Sequence, residues 1–366
     1  MQNCQEKTRY PLVLVDRNKL LHNVKSMVEL CKKYNVQIAG VTKVFCANIS
    51  IARIFLDGGI TNLADSRIEN LKKLQSLKCE KMMLRIPMLS EITQVVTYSD
   101  ISLNSQIETI KALSEEALKQ KKIHQIILMI DLGDLREGIL EEDVYYYVKK
   151  LMTLKGVILK GIGVNLNCYG GIIPTKETLE RLVEIKAGIK EKFAISLDVI
   201  SGGNSGSIHL LLDNEKKLSS FPTNINQLRL GEAILRGVET SYQKKIEGLN
   251  TDIFTFRAQI VELKDKPSVP TGKMGLDAFG NKPEFQDKGI MKRVIIACGR
   301  QDIVPEQLFP RDKDISIIGA SSDHTILDVT NSKTEYKVGD IVDFDLGYSS
   351  LLSAFTSEYV NKQIVE

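Results

Sequence analysis

The sequence predicts an α/β protein: an N-terminal (β/α)8 TIM-like barrel followed by a mainly β C-terminal domain. Three observations carry that reading. From residue 36 to about residue 240, short apolar runs rich in β-branched residues alternate with stretches of helical spacing. Eight such runs can be counted, the number a (β/α)8 barrel needs. Beyond about residue 245 the texture changes to alternating strand patterns separated by Gly, Pro, Asp and Asn.

The eight runs are Val36–Thr42, Thr61–Ala64, Lys81–Ile86, Asp100–Leu103, Gln125–Asp131, Leu159–Asn165, Ile195–Ser201 and Asn226–Leu230. Most are continuously apolar, as parallel strands buried on both faces should be. Between them, Ile68-Leu71-Leu74 and Ile107-Ile110-Leu113 repeat at helical spacing. Pro11–Val15 is a ninth strand ahead of the first unit, with a helical stretch, Asn18–Lys33, behind it. A ninth strand has no place in an eight-stranded ring and should pair elsewhere. The later strands are Ile253–Leu263, Lys292–Ala297, Ile315–Ile318, His324–Val329 and Asp340–Leu346, with no long helix expected among them. The predicted domains are therefore 17–240 and 241–366.

Composition removes several classes of function. Hydrophobic residues make up 43% and charged residues 26% of 366 positions, ordinary values for a globular chain. Forty-nine basic and 46 acidic side chains leave a net charge of +3, which favours neither nucleic acid nor an anionic membrane as partner. The six cysteines (Cys4, Cys31, Cys46, Cys79, Cys168, Cys298) form no CxxC pair and read as reduced thiols of a cytosolic protein. His22, His124, His209 and His324 are scattered, so no histidine-based metal site is expected. The segment MQNCQEKTRYPLVLVD lacks an apolar signal core, and no stretch reaches the ~18 apolar residues of a membrane helix. A cytoplasmic protein is expected.

In such barrels, chemistry sits at the C-terminal ends of the strands. The first strand ends at Lys43, and a lysine with a desolvated stem can form an imine with an aldehyde. The fifth runs into Asp131–Gly138, a compact acidic loop with one arginine, Arg136. The sixth ends in Asn165-Leu166-Asn167-Cys168. The seventh opens into Ser201-Gly202-Gly203-Asn204-Ser205-Gly206-Ser207, a Gly/Ser turn that can present amides and hydroxyls to a phosphate. The eighth ends in Arg229-Leu230-Gly231-Glu232. Taken singly, each is an ordinary solvated lysine or polar turn. Together they outline a barrel mouth with one lysine, two arginines and a cradle at the loops where such barrels bind phosphate. A phosphorylated aldehyde fits every part.

The segments LADSRIENLKKL, LRIPML, IDLGDLREG, KGIGVNLNCYG, ISGGNSGSI, LRLGEAILRG, LDAFGNKPEF, GASSDHTILDV and YKVGDIVDFDLGY span nearly the whole chain. They resemble the alanine-racemase-type (fold type III) pyridoxal-phosphate enzymes, and within them the ornithine racemases most. The resemblance implies a pyridoxal 5'-phosphate barrel, a β domain on which strand 10–16 packs, and a head-to-tail homodimer with shared active sites. It implies that Lys43 holds the cofactor as a Schiff base and that Arg136 contacts the cofactor phenolic oxygen and the substrate carboxylate. Asn204 and Ser205 match an Asn-Ser pair at the phosphate, and Arg229 matches the arginine at the pyridine nitrogen. The turn Gly231-Glu232-Ala233 matches a phosphate contact. Ser322-Asp323 falls where a partner's substrate carboxylate is reached.

Three positions depart from the family pattern. Asn165 stands where a histidine stacks on the cofactor, and Ala47 where a tyrosine assists the phosphate. The third is GKMGLDAFGN, which carries Asp277 and Phe279 in place of the tyrosine that acts as second acid/base. Asp277 is the residue expected to take that role, with Tyr348 and Tyr359 as further candidates near the cofactor. Racemisation by this route removes the Cα proton on the face of Lys43 and returns it on the other. A permanently protonated arginine at the pyridine nitrogen weakens the ring as an electron sink, which favours racemisation over transamination. The rivals are a decarboxylase of the same fold, which places a glutamate at that nitrogen, a single-barrel carrier of ~230 residues without a β domain, and a barrel with no cofactor. Racemases of alanine or lysine are the alternative substrates. For ornithine, the distal ammonium calls for an acid. Asp65, Asp134, Glu137 and Asp277 are candidates, with Asp277 or Asp134 expected.

Overall fold

The computed structural model describes residues 8–216 and 221–366, so Cys4 lies outside it. The chain divides into two compact units. One is Asn18–Thr251; the other joins the described residues up to Arg17 to Asp252–Glu366. The first unit runs past residue 240, the boundary expected from the sequence, for a physical reason. Asn23 is fully buried and clamps the later segment. Its Nδ2 donates to the carbonyls of Ile234 (3.0 Å) and Asn250 (2.9 Å), and its Oδ1 accepts from the Asn250 amide at 2.8 Å.

Strand β1 is Leu12–Asp16. The barrel strands are β2 (Gln37–Val41), β3 (Asn62–Asp65), β4 (Glu80–Met83), β5 (Ile101–Asn104), β6 (His124–Ile130), β7 (Val157–Val164), β8 (Val199–Ser201) and β9 (Gln227–Leu230). They form a closed ring in sequence order, each parallel to its neighbours, and β2 pairs with β9 to shut it. Each predicted run coincides with one of these strands to within a few residues. Ala39, Val41, Ala64, Met82, Ile101, Leu103, Ile127 and Met129 make one buried cluster from alternate positions of β2 to β6. That apolar plug fills the ring, so polar side chains on its inner face collect at the ends.

The second unit carries the remaining strands: β10 (Phe254–Pro267), β11 (Ile290–Ile296), β12 (Leu308–Pro310), β13 (Ser316–Ala320), β14 (Thr325–Asp328), β15 (Ile341–Leu346) and β16 (Asn361–Val365). Its sheet runs β12-β15-β10-β11-β14-β13, with β1 added between β10 and β16. Strand β1 is antiparallel to β10 and parallel to β16. So the ninth strand pairs outside the barrel. Two strands, β12 and β16, and a nine-residue helix, Tyr348–Thr356, were not expected from the sequence. The helix buries Leu351, Ala354 and Phe355, and Phe355 meets Phe254 edge-to-face at 5.9 Å. Among the described residues, no helix is long and apolar enough to cross a membrane. The five described cysteines are free thiols.

One buried histidine makes barrel stability sensitive to acid. His124 opens β6, and its Nε2 lies 2.7 Å from Ser102 Oγ on β5. Burial lowers its pKa from 6.5 to about 4. The folded state therefore binds fewer protons than the unfolded chain. The stability this group contributes is complete above pH 6.5 and is lost as pH falls through about 4. Between pH 7 and 4.5, urea unfolding should show the native protein losing about 2 kcal/mol more than His124→Gln. Equal losses in the two proteins would exclude this histidine as the cause.

Candidate active site

Every site residue that the sequence places in the barrel lies at or just past the C-terminal end of a strand. Lys43 follows β2 and opens a short 3-10 turn, Lys43–Phe45. The turn is followed by two non-glycine residues with left-handed backbone, Cys46 (φ 49°) and Ala47 (φ 53°). The Ala47 amide returns to the Thr42 carbonyl (3.2 Å), which closes the loop beneath Lys43. Thr42 Oγ1 in turn donates to the fully buried Asp65 at 2.6 Å. Asp65 also accepts from Asn70 and the Arg67 amide. It is a structural tie, raised in pKa by burial, and cannot also serve a substrate ammonium.

Arg229 projects from β9 and is almost completely buried. Its Nη1 donates to Ser201 Oγ at 2.6 Å, and its Nη2 to the Val164 carbonyl at 2.8 Å and to Asn165 Oδ1 at 3.3 Å. All three acceptors are neutral. Burial lowers its pKa to about 10, still above neutrality, so the guanidinium keeps its charge at working pH.

Asn165 follows β7 directly and is the meeting point of the network. Its Oδ1 also accepts from Asn204 Nδ2 at 3.0 Å. Two donors on Oδ1 fix the amide orientation. Asn165 Nδ2 is then left buried without a partner, an orphan donor at the barrel mouth. Asn204 joins the loops after β7 and β8. It donates to the Leu166 carbonyl (2.8 Å) and Cys168 Sγ (3.2 Å), and its Oδ1 caps the Gly206 amide at 2.7 Å.

Ser205 opens the 3-10 turn after β8 and reaches the turn after β9: its Oγ accepts from the amides of Ala233 (3.1 Å) and Gly231 (3.4 Å). Gly203 is left-handed (φ +112°), and a Cβ there would lie 2.6 Å from Ser207 Oγ. A Cβ on Gly231 would lie 3.0 Å from Val41 Cβ. These two turns therefore keep their backbone bare, as an anion cradle needs. The Glu232 carboxylate is held by Arg236. Burial raises its pKa, against the opposing fields of Arg236 and Lys43.

Arg136 lies in the loop after β6, paired with its neighbour Glu137. Its Nε and Nη2 both donate to that carboxylate, Nη2 at 2.6 Å. Glu137 raises the Arg136 pKa, with Cys168 a further contributor. The sequence marks Arg136 and Glu137 as separate candidates; their pairing, and the approach of Cys168, come from the fold. Asp134, in the same loop, is 1% exposed and holds the Tyr169 amide at 3.0 Å. It ties two loops together.

Asp277, Ser322 and Asp323 belong to the other unit, all exposed. Arg300 links their loops within it. Its guanidinium lies over the Phe279 ring at 5.4 Å, and its amide donates to the Ser321 carbonyl at 2.9 Å. Asp277 accepts from the amides of Phe279 and Asn281, and these bonds lower its pKa. The structure thus gathers the barrel residues at one mouth and the other three on one face of the β unit.

A phosphorylated aldehyde cofactor passes the test this geometry sets. The mouth offers an amine, two guanidinium groups, bare glycine turns and the orphan Asn165 donor.

The comparisons agree. The model of the alanine racemase N-terminal domain matches residues 15–236. An ornithine racemase from Acetoanaerobium sticklandii is 48% identical over 357 residues, 97% of this chain and 100% of that protein. A lysine racemase from Thermotoga maritima is 39% identical over 355 residues, 96% of this chain and 98% of that one. The fold matches an alanine racemase from Streptomyces lavendulae with TM-score 0.75 at 15% identity, covering 98% of both chains. The chain belongs to the alanine racemase family. It is accordingly an isomerase, an amino-acid racemase dependent on pyridoxal phosphate.

Asn204→Ala should unfasten the loops after β7 and β8. The dissociation constant for pyridoxal phosphate should rise about tenfold, the equivalent of one net hydrogen bond, read as a titration of visible absorbance. An unchanged constant would detach Asn204 from cofactor binding.

Proposed function

We propose that the protein interconverts L- and D-ornithine. The observation that carries this is the 48% identity, over the whole of that relative, to an ornithine racemase. Lysine is the second substrate to test, since a lysine racemase is 39% identical.

When bound, pyridoxal phosphate supplies an aldehyde for the amino group and a ring that acidifies the Cα–H. The roles of this chain's residues follow from where they stand. Lys43 would hold the aldehyde carbon and then act as base on its own face of the substrate. Arg229 would donate to the ring nitrogen. Its charge, retained down from a pKa of about 10, keeps that nitrogen unprotonated and restrains side reactions. Asn165, Asn204, Ser205 and the turn Gly231-Glu232 would receive the phosphate end. Arg136 would take the substrate carboxylate.

The proton on the opposite face falls to Asp277, contributed by a second protomer along with Ser322 and Asp323. Hydrogen bonds from its own loop lower its pKa, which keeps Asp277 ionised but makes it a weaker base, so its role rests on its place in the chain rather than on that shift. The head-to-tail dimer has support on each unit separately. Met88, Leu89, Leu135 and Tyr169 are exposed around the barrel mouth, and Met274, Leu276 and Phe279 around Asp277. A cytoplasmic location rests on the free thiols.

Loss of optical activity should be followed for L-ornithine, L-lysine, L-arginine, L-alanine and L-serine. Ornithine should react fastest, and Lys43→Ala should abolish both racemisation and the visible absorbance of the bound cofactor. Carbon dioxide release in place of racemisation would make the protein a decarboxylase. Asp277→Asn should lower kcat by about 100-fold or more, the scale of a lost general acid–base group; a near-native kcat would remove Asp277 from the reaction.

A further inference from the structure

Arg136 and Glu137 share the loop after β6 and are bound to each other by two hydrogen bonds. The guanidinium is 45% exposed and the carboxylate 18%. The loop that carries them is held from both sides. Asp131 Oδ1 accepts from the amides of Gly133 and Leu135, and Asp134 holds the Tyr169 amide. The two side chains can therefore re-pair without the loop moving. Arg136 also hydrogen-bonds Cys168, whose sulfur accepts from Asn204, so the pair borders the same mouth.

The other acids that a distal ammonium might meet are already engaged. Asp65 is fully buried and bonded to Thr42, Asn70 and Arg67. Asp134 is 1% exposed, with one oxygen on the Tyr169 amide and the other buried without a partner, so it is shut away rather than presented to a substrate. Asp277 is assigned the opposite-face proton above, and its Oδ1 accepts from two amides of its own loop. Glu232 is paired with Arg236.

We propose that the Arg136–Glu137 pair selects for basic amino acids by ion-pair exchange: the substrate α-carboxylate takes Arg136, and the distal ammonium takes Glu137. The inference rests on Arg136 as the partner of the substrate carboxylate. An amino acid with a neutral side chain must break the same pair and return no cation. It leaves Glu137 ionised and largely desolvated, a penalty that works against the wrong substrate. Ornithine and lysine replace one ion pair with two. Discrimination then comes from what the wrong substrate leaves unpaired as much as from what the right one gains.

The test compares kcat/KM for L-ornithine and L-alanine, and calorimetric dissociation constants for both, in the native holoenzyme, Glu137→Gln and Glu137→Asp. Glu137→Gln should lose at least about thirtyfold on ornithine, the lower end for a partly buried charge pair, while alanine holds or improves. Glu137→Asp should keep part of the preference. Equal losses on both substrates, or no loss on either, would overturn the proposal. A measurement that needs no variant is binding of Nδ-acetyl-L-ornithine to the native holoenzyme. It should bind at least about thirtyfold more weakly than ornithine, and equal binding would also overturn the exchange. Arg136→Gln separates the underlying reading: it should weaken ornithine and alanine alike. If it weakens neither, the carboxylate assignment itself fails, whatever Glu137 does.

Discussion

The pairing of β2 with β9 is the constraint on which everything else depends. Gln37 to Gly40 lie in register with Gln227 to Leu230. That single parallel contact closes the ring and leaves no open edge in it. It also brings the loop of Lys43 beside the turn of Gly231, two segments near opposite ends of the first unit. Once the ring is closed, its interior must be filled. Eight apolar side chains, from Ala39 to Met129, do so. Polar groups on the inner face are then confined to the rims, which is why the chemistry is gathered at one end of the strands.

Charge at that end is arranged around a buried cation. Arg229 is held by a serine hydroxyl, a carbonyl and an asparagine amide, none of them charged. No carboxylate lies against it; burial is what chiefly opposes its charge and lowers its pKa to about 10, while the field of Glu137 favours the charge. Asn165 serves this cation and the phosphate-side loop at once, through one oxygen with two donors. An asparagine accepts from both on one oxygen while its amide nitrogen stays a donor.

Much of the fold could be read from the order of residues. Continuously apolar runs at regular intervals have few other solutions than a parallel barrel, and the runs coincide with the strands. The strands that escaped had physical reasons to do so. Leu308–Pro310 is three residues long, and Asn361–Val365 mixes polar residues in, because it pairs on its strand side with β1 alone. The helix Tyr348–Thr356 follows a strand and carries two serines in its first turn, with no acid or side-chain cap to announce it. The domain division was displaced for a similar reason. Asn23 and Asn250 are far apart in sequence, and their mutual hydrogen bonds leave no trace in local composition.

The sequence by itself determined which residues could do the chemistry. Lys43, Arg136, Asn204 and Ser205 stand out because each follows an apolar run, and Arg229 because it lies near the end of one; strand ends are where a filled barrel leaves room for polar side chains. What only the tertiary structure decided is how those residues are engaged. It paired Arg136 with Glu137, left Asn165 Nδ2 without a partner, and committed Asp65 and Asp134 to holding loops together. A side chain's availability depends on what else reaches it in space. Those neighbours come from different strands, brought within hydrogen-bonding distance only when the ring closes.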